Sequence, residues 1–176
     1  MSGIQGGRPL AALYTPTPLL YSTSMSKQAG CNIWLKLENM QPTQSFKIRG
    51  VGSMCIHALT EQNAQRLVAI GDTNAALAVA YSARQLGVPA TVFVPSSSGQ
   101  ALVIRSKIEL EGADIVEEGR SIKEAYKAAR AFAETTDGAV IIDTTDNAVA
   151  VAGNATIAAE INVQLQQREP TVVVAP

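Results

Sequence analysis

Charge is scarce in this chain: only 16% of its residues are Asp, Glu, Lys or Arg. Disordered segments show the opposite balance, high charge with little apolar content, so a folded globular protein is expected. The charges also nearly cancel. With 14 basic and 15 acidic residues the formal net charge is −1, which gives no basic surplus for nucleic acid and no acidic tail. Histidine occurs once, at His57, and cysteine twice, at Cys31 and Cys55. That number and spacing match no metal-ligand pattern, and no metal is expected. His57 reads as a structural or surface histidine, and both cysteines as reduced, small buried hydrophobes. The longest apolar stretches, such as residues 91–95 and 171–175, are far too short to span a bilayer. Residues 1–8 lack the apolar centre of a signal peptide. The expectation is a cytoplasmic protein with no membrane or nucleic-acid partner.

Apolar residues, at 47% of 176, are sufficient for a sizeable core. Prolines at 16 and 18 hold residues 15–19 out of a helix. A short helix is expected near 22–29, and the alternation of Ile33, Leu35 and Leu37 with polar neighbours predicts a strand over 32–38. A loop at 39–43 leads into a helix over 45–59. Beyond it, strands and helices alternate. Strands are expected at 67–70, 90–94, 114–116, 139–142 and 171–174. Helices are expected at 75–86, 100–110, 121–134 and 148–166, stopped in several places by glycine or proline. Ser121 with Glu124 three residues on is a capping box. The runs at 67–70, 90–94 and 171–174 are apolar throughout, as in parallel strands covered on both faces. The pattern predicts an α/β fold, three layers deep, with a mostly parallel sheet. There is no internal repeat and no low-complexity linker.

One residue is electrostatically out of place. Lys47 falls in the first turn of the helix expected from 45, where the helix dipole favours negative charge by a few tenths to about 1 kcal/mol. A cation is disfavoured there, and a neutral amine is the nucleophile that imine chemistry requires. The free N–H groups of the same turn suit an anion such as a phosphate. Phe46 supplies a ring that can lie against a flat ligand. Taken alone, the tripeptide Ser45-Phe46-Lys47 is also what a solvated surface lysine would show.

Its surroundings extend the pattern. The stretch Lys36-Leu37-Glu38-Asn39-Met40-Gln41-Pro42-Thr43-Gln44-Ser45-Phe46-Lys47-Ile48-Arg49-Gly50 resembles the cofactor-lysine segment of fold-type II pyridoxal-phosphate enzymes. It is most similar to that of the L-serine/L-threonine dehydratases. Thr15-Pro16-Thr17-Pro18-Leu19 is similar to the entry segment of that family, and residues 80–95 and 107–113 continue the resemblance over nearly the whole chain.

The resemblance implies a tryptophan-synthase-beta-like fold and pyridoxal 5'-phosphate as cofactor. It implies that Lys47 holds the cofactor as a Schiff base and acts as general base at the substrate α-carbon. Phe46 packs on the pyridine ring, and Asn74 contacts the ring oxygen. Ser45, Thr73, Asn74 and Ala75 face a small amino-acid substrate. The implied reaction converts L-serine or L-threonine to a 2-oxo acid and ammonia, in a protein that is a homodimer when complete. Residues 1–50 and 145–176 are expected to belong to a cofactor domain that continues beyond Pro176, and 51–144 to a smaller α/β domain. The phosphate-cradling loop of the family follows a strand like 171–174, so the chain reads as the N-terminal part of that fold.

Two segments depart from the family pattern. Its serine- and glycine-rich turn is replaced here by Ile70-Gly71-Asp72-Thr73-Asn74-Ala75-Ala76. Asp72 sets a negative charge in a loop meant for a carboxylate, and like charges repel. At 152–157, Asn154 and Ala155 replace glutamine and glycine; Asn154 reads equally as a helix-surface residue or a functional one. These departures leave two alternatives: a β-replacement enzyme of the cysteine synthase type, and a non-catalytic protein that keeps the fold. A nucleotide-binding domain has no glycine-rich phosphate motif to support it.

Overall fold

The computed structural model describes residues 11–96 and 102–175. Among these residues there are two sheets. Strands β1 (Leu19–Tyr21) and β2 (Trp34–Lys36) form an antiparallel ribbon, with helix α1 (Thr23–Ala29) between them. A single 3-10 turn, Glu38–Met40, leads toward helix α2 (Lys47–Glu61). The second sheet is built from β3 (Arg66–Ile70), β4 (Ala90–Val94), β5 (Asp114–Glu117) and β6 (Ala139–Ile141). All its pairings are parallel, in the order β5-β4-β3-β6. Its crossovers are α3 (Asn74–Leu86), α4 (Leu102–Leu110) and α5 (Ile122–Thr135), and α6 (Ala148–Gln164) follows β6.

The strand order explains the layering. From β3 to β5 the chain steps in one direction, and α3 and α4 pack on one face. From β5 to β6 it steps back across the sheet. A crossover of the same hand must then lie on the other face, and α5 does. Alternate residues of β3 divide between the two cores. Leu67 and Ala69 face α2 and α3 with Val92 and Val94. Val68 faces α5 with Phe93, Ala125 and Ala129. The expected three-layer, parallel α/β architecture is thus the one found.

Local chemistry sets the helix ends. Ser22, Thr73, Ser121 and Asn147 each cap a helix by accepting a backbone N–H. The box at Ser121 is shifted by one residue: Ser121 Oγ accepts from the Glu124 N–H, but the Glu124 carboxylate accepts from the Arg120 N–H at 2.6 Å. Gly30 and Gly87 end α1 and α3 in the left-handed conformation. Helix α2 differs, because Phe46 holds its N-cap position and offers no side-chain acceptor.

Three expectations need correction. Strand β1 was not foreseen, since Leu19 and Leu20 follow two prolines; pairing with β2 makes it a strand. The run at 171–174 is no strand. It pairs with nothing among the described residues, and Val172, Val173 and Val174 are exposed; a β-branched run without a partner has no ladder to join. Cys55 is buried as expected, but Cys31 is exposed.

Helices α2 and α6 meet where neither has a side chain. A Cβ on Gly153 would lie 2.5 Å from the Arg49 carbonyl and 2.9 Å from Gly50 Cα. Gly153→Ala would gain about 0.8–1.0 kcal/mol in helix propensity, but forcing two backbones apart costs about 1–3 kcal/mol. The crowding should win. A lower urea midpoint at unchanged m-value is expected for Gly153→Ala, and an unchanged or higher midpoint would show that the helices part easily.

Candidate functional site

The first turn of α2 is held by charges that lie far away in sequence. Arg49 is fully buried, with its guanidinium between two carboxylates. Its Nε and Nη2 each donate to Glu38 at 2.8 Å, in the bidentate arrangement suited to a planar fork. Its Nη1 and Nη2 donate to Glu160 of α6 at 2.7 and 3.0 Å, and Nη1 also reaches the Thr156 hydroxyl. The ring of Tyr14 lies 4.6 Å from the guanidinium carbon. Lys36 supplies the second cation, donating to Glu160 at 2.6 Å and to the Thr17 carbonyl at 2.7 Å. Thr17 and Gln41 donate their remaining hydrogens to Glu38. Two cations thus meet two anions, with their polar atoms satisfied.

Asn154 resolves as a structural residue. Its Oδ1 accepts the Gly50 N–H at 3.0 Å, so α6 supplies to the start of α2 the acceptor that Phe46 lacks. With Arg49 and the Gly50–Gly153 contact, three consecutive elements of fit fix this turn. Lys47 is therefore presented from a rigid helix end.

Around Lys47 the polar atoms are open. Its Nζ sits 4.9 Å from the centre of the Phe46 ring, and it has no hydrogen bond or ion pair among the described residues. Just before it, the hydroxyls of Thr43 and Ser45 are buried and have no partner. Buried hydroxyls normally find one. Gln44 between them is held at φ 60° by its N–H to the Gln41 carbonyl and by Lys107 Nζ, which donates to its side chain at 2.6 Å. An amine, two unsatisfied hydroxyls and the N-terminus of a fifteen-residue helix fit a ligand that carries both a carbonyl and an anionic group.

A cleft of about 270 Å³ lies at the carboxyl ends of β3 and β6, and Ser45, Phe46, Lys47 and Asn74 are not among its lining residues. Ligands of parallel α/β sheets bind at such carboxyl ends. Val51, one turn along α2 on the same side as Lys47, lines it. So do Thr73 and Ala75, two of the residues expected to face substrate. Thr73 Oγ1 accepts from the Ala76 N–H, which leaves its own hydrogen free to donate. Asn74 stands between them as the first, exposed residue of α3.

Asp72 does not line this cleft. Its carboxylate is paired with Arg105 Nε at 3.4 Å, and Arg105 also pairs with Glu117 at 2.6 Å. The charge expected to repel a carboxylate is turned away and neutralised. His57 lies half-buried on α2, away from the cleft lining. Among the described residues, no group of His, Cys, Asp or Glu could hold a metal ion, and no helix is long and apolar enough to cross a membrane.

The structure is thus a parallel α/β domain that presents an unpaired lysine on a helix start, next to two buried, unpartnered hydroxyls. The chain belongs to the pyridoxal-phosphate dependent enzyme family, whose model matches residues 10–176. It is 36% identical to the human L-serine dehydratase/L-threonine deaminase over 98% of its own length and 51% of that protein. Its fold is similar to that of a fungal L-serine ammonia-lyase from Rhizomucor miehei, with a TM-score of 0.79 and 31% identity over 91% of this chain and 50% of that one. It also resembles maize serine racemase, with a TM-score of 0.80 and 28% identity over 88% of this chain and 46% of that one. The chain spans about half the length of the curated relatives it matches.

The charge network was not foreseen from sequence, and two tests bear on it. Replacing Arg49 by Met leaves the half-buried Glu38 without a cation and the half-buried Glu160 with Lys36 alone, at a cost of about 2–3 kcal/mol, below the roughly 3–5 kcal/mol of a broken, fully buried pair; a loss below 1 kcal/mol in chemical denaturation would show that the network is not a stabilising centre. The second test is pH. Burial acts to raise the Glu160 carboxyl, but hydrogen bonds from Arg49 and Lys36 outweigh it and hold it at about 2. Glu38 is lowered too, burial again being overcome by Arg49, Thr17 and Gln41. Both groups are depressed on folding, so their contribution is complete above the ordinary value of 4.5. It is lost as pH falls from there toward about 2. Stability should therefore drop over that window, and the drop should shrink in Glu160→Gln.

Proposed function

We propose that the protein carrying this chain is a pyridoxal 5'-phosphate enzyme that converts L-serine or L-threonine to a 2-oxo acid and ammonia. The observation that carries this reading is the pair of unsatisfied buried hydroxyls at Thr43 and Ser45 beside the unpaired Lys47. When bound, the cofactor supplies an electron sink for the α-carbon of the amino acid. Lys47 would hold it through its amine, and the same amine would take the proton from the substrate α-carbon. Phe46 would pack on its ring, and Asn74 would contact its ring oxygen. Ser45, Thr73, Asn74 and Ala75 line the substrate side, where the O–H of Thr73 and that of Ser45 donate to the carboxylate. The rigid start of α2 keeps the amine in place.

The same reading divides the chain. Residues 1–50 and 145–176, with the β1–β2 ribbon, belong to a cofactor domain, and 51–144, with the parallel sheet, form the smaller domain. A homodimer and a cytoplasmic location complete the proposal. The exposed Leu20, Tyr21, Trp34 and Leu35 of the ribbon supply apolar surface that an assembly can cover.

Borohydride treatment of the intact protein with cofactor, followed by peptide mapping, should place the label on Lys47. Lys47→Ala should lower kcat by at least about a thousandfold, within the range of a lost proton-transfer group. A label on another lysine overturns the assignment. Production of D-serine without 2-oxo acid would point instead to a racemase.

A further inference from the structure

The cleft has a second wall that the family assignment leaves without a role. Besides Thr73 and Ala75, it is lined by Ile142, Asp143, Thr144 and Thr145 after β6 and by Tyr126 of α5. Asp143 is the only carboxylate among the lining residues. Its Oδ1 accepts the Thr145 N–H at 2.9 Å, and its Oδ2 accepts the Tyr126 hydroxyl at 3.3 Å. A carboxylate offers about four acceptor positions, so positions remain on both oxygens. No lysine, arginine or histidine pairs with it among the described residues.

We infer that Asp143 is a specificity-determining residue that accepts a hydrogen bond from the β-hydroxyl of the amino-acid substrate. The inference rests on the reading of the site as one for L-serine or L-threonine, and deepens it. Three features favour a hydroxyl. The cleft, at about 270 Å³, is below the roughly 300–1,000 Å³ typical of sites for drug-sized ligands, and suits a small amino acid. Its other lining residues are apolar, such as Val51, Ile70, Ala76 and Ile122, or carry neutral hydroxyls, as Thr73, Tyr126, Thr144 and Thr145 do, so a donor entering it meets one charged acceptor. The hydrogen bonds from Thr145, acting before the smaller opposing effect of burial, and from Tyr126 hold the Asp143 carboxyl low, so it accepts and does not donate. A site built around an acceptor rejects the analogue that lacks the donor, because the acceptor is then left unpaired.

The test uses calorimetric titration of the intact protein as its Lys47→Ala variant with pyridoxal phosphate present, so that binding is read without turnover. L-serine should bind at least about tenfold more tightly than L-alanine, the size expected of one hydrogen bond to a charged group. In Asp143→Asn, which retains the turn made with the Thr145 N–H, that ratio should fall at least threefold, and in Asp143→Ala it should approach one. Tyr126→Phe should lower the ratio partway. A ratio near one before substitution, or an unchanged ratio in both Asp143 variants, overturns the inference. Failure of the Lys47 label is a separate result: it would remove the cofactor assignment, whereas the serine-to-alanine ratio tests Asp143 alone.

Discussion

Everything near Lys47 depends on one buried cation. Arg49 lies fully inside the protein two residues after it, and a buried guanidinium is tolerable only when its donors are met. Meeting them requires Glu38 from the turn after β2 and Glu160 from near the end of α6. Those partners in turn draw in Lys36, Thr17 and Gln41. The network thus forces the N-terminal segment, α2 and α6 into one arrangement. Moving any of them would strand a charge, at a cost of several kcal/mol. That is more than the few tenths to 1 kcal/mol at stake when a lysine stands at a helix N-terminus. The network can therefore hold Lys47 where the helix dipole disfavours its charge.

Packing completes what charge begins. Gly50 and Gly153 let two helix backbones touch, and Asn154 reaches across to cap α2. These contacts serve the same turn as Arg49. A side chain must be fixed to about 0.5 Å for productive chemistry, and rigid helices achieve this better than loops. The site is arranged accordingly, with its amine on a helix end and its hydroxyls on the short segment immediately before it.

Much of this fold was legible because its signals are local. Runs such as 90–94 are apolar in every position, and glycines and caps mark the helix ends, so strand β4 and helices α3 and α5 fall within a residue or so of expectation. The place of Lys47 in the first turn of a helix was legible as well. The charge network was not, because Arg49 and Glu160 are 111 residues apart and neither residue type marks its partner in a sequence. Strand β1 was missed for a related reason: only pairing with β2 makes it a strand. The run at 171–174 failed in the opposite sense, since its composition suits a strand but no partner meets it among the described residues. Composition states what a segment can do, and pairing decides whether it does.

The two acidic residues at the carboxyl edge of the sheet show the same limit in electrostatics. From sequence, Asp72 lies in the critical loop and Asp143 is one residue of an ordinary connection. In space their importance is reversed. Arg105 is near enough to neutralise Asp72, which then sits outside the cleft lining and adds little field there. Asp143 lines the cleft and meets only a backbone N–H and hydroxyls, so its charge acts on whatever enters. A carboxylate's influence on a site follows from where its counter-charge lies. Here that counter-charge comes from α4, more than thirty residues beyond Asp72 in the chain. The altered turn at 70–76 thus brings no unpaired charge to the cleft, and the carboxylate among the described lining residues is Asp143.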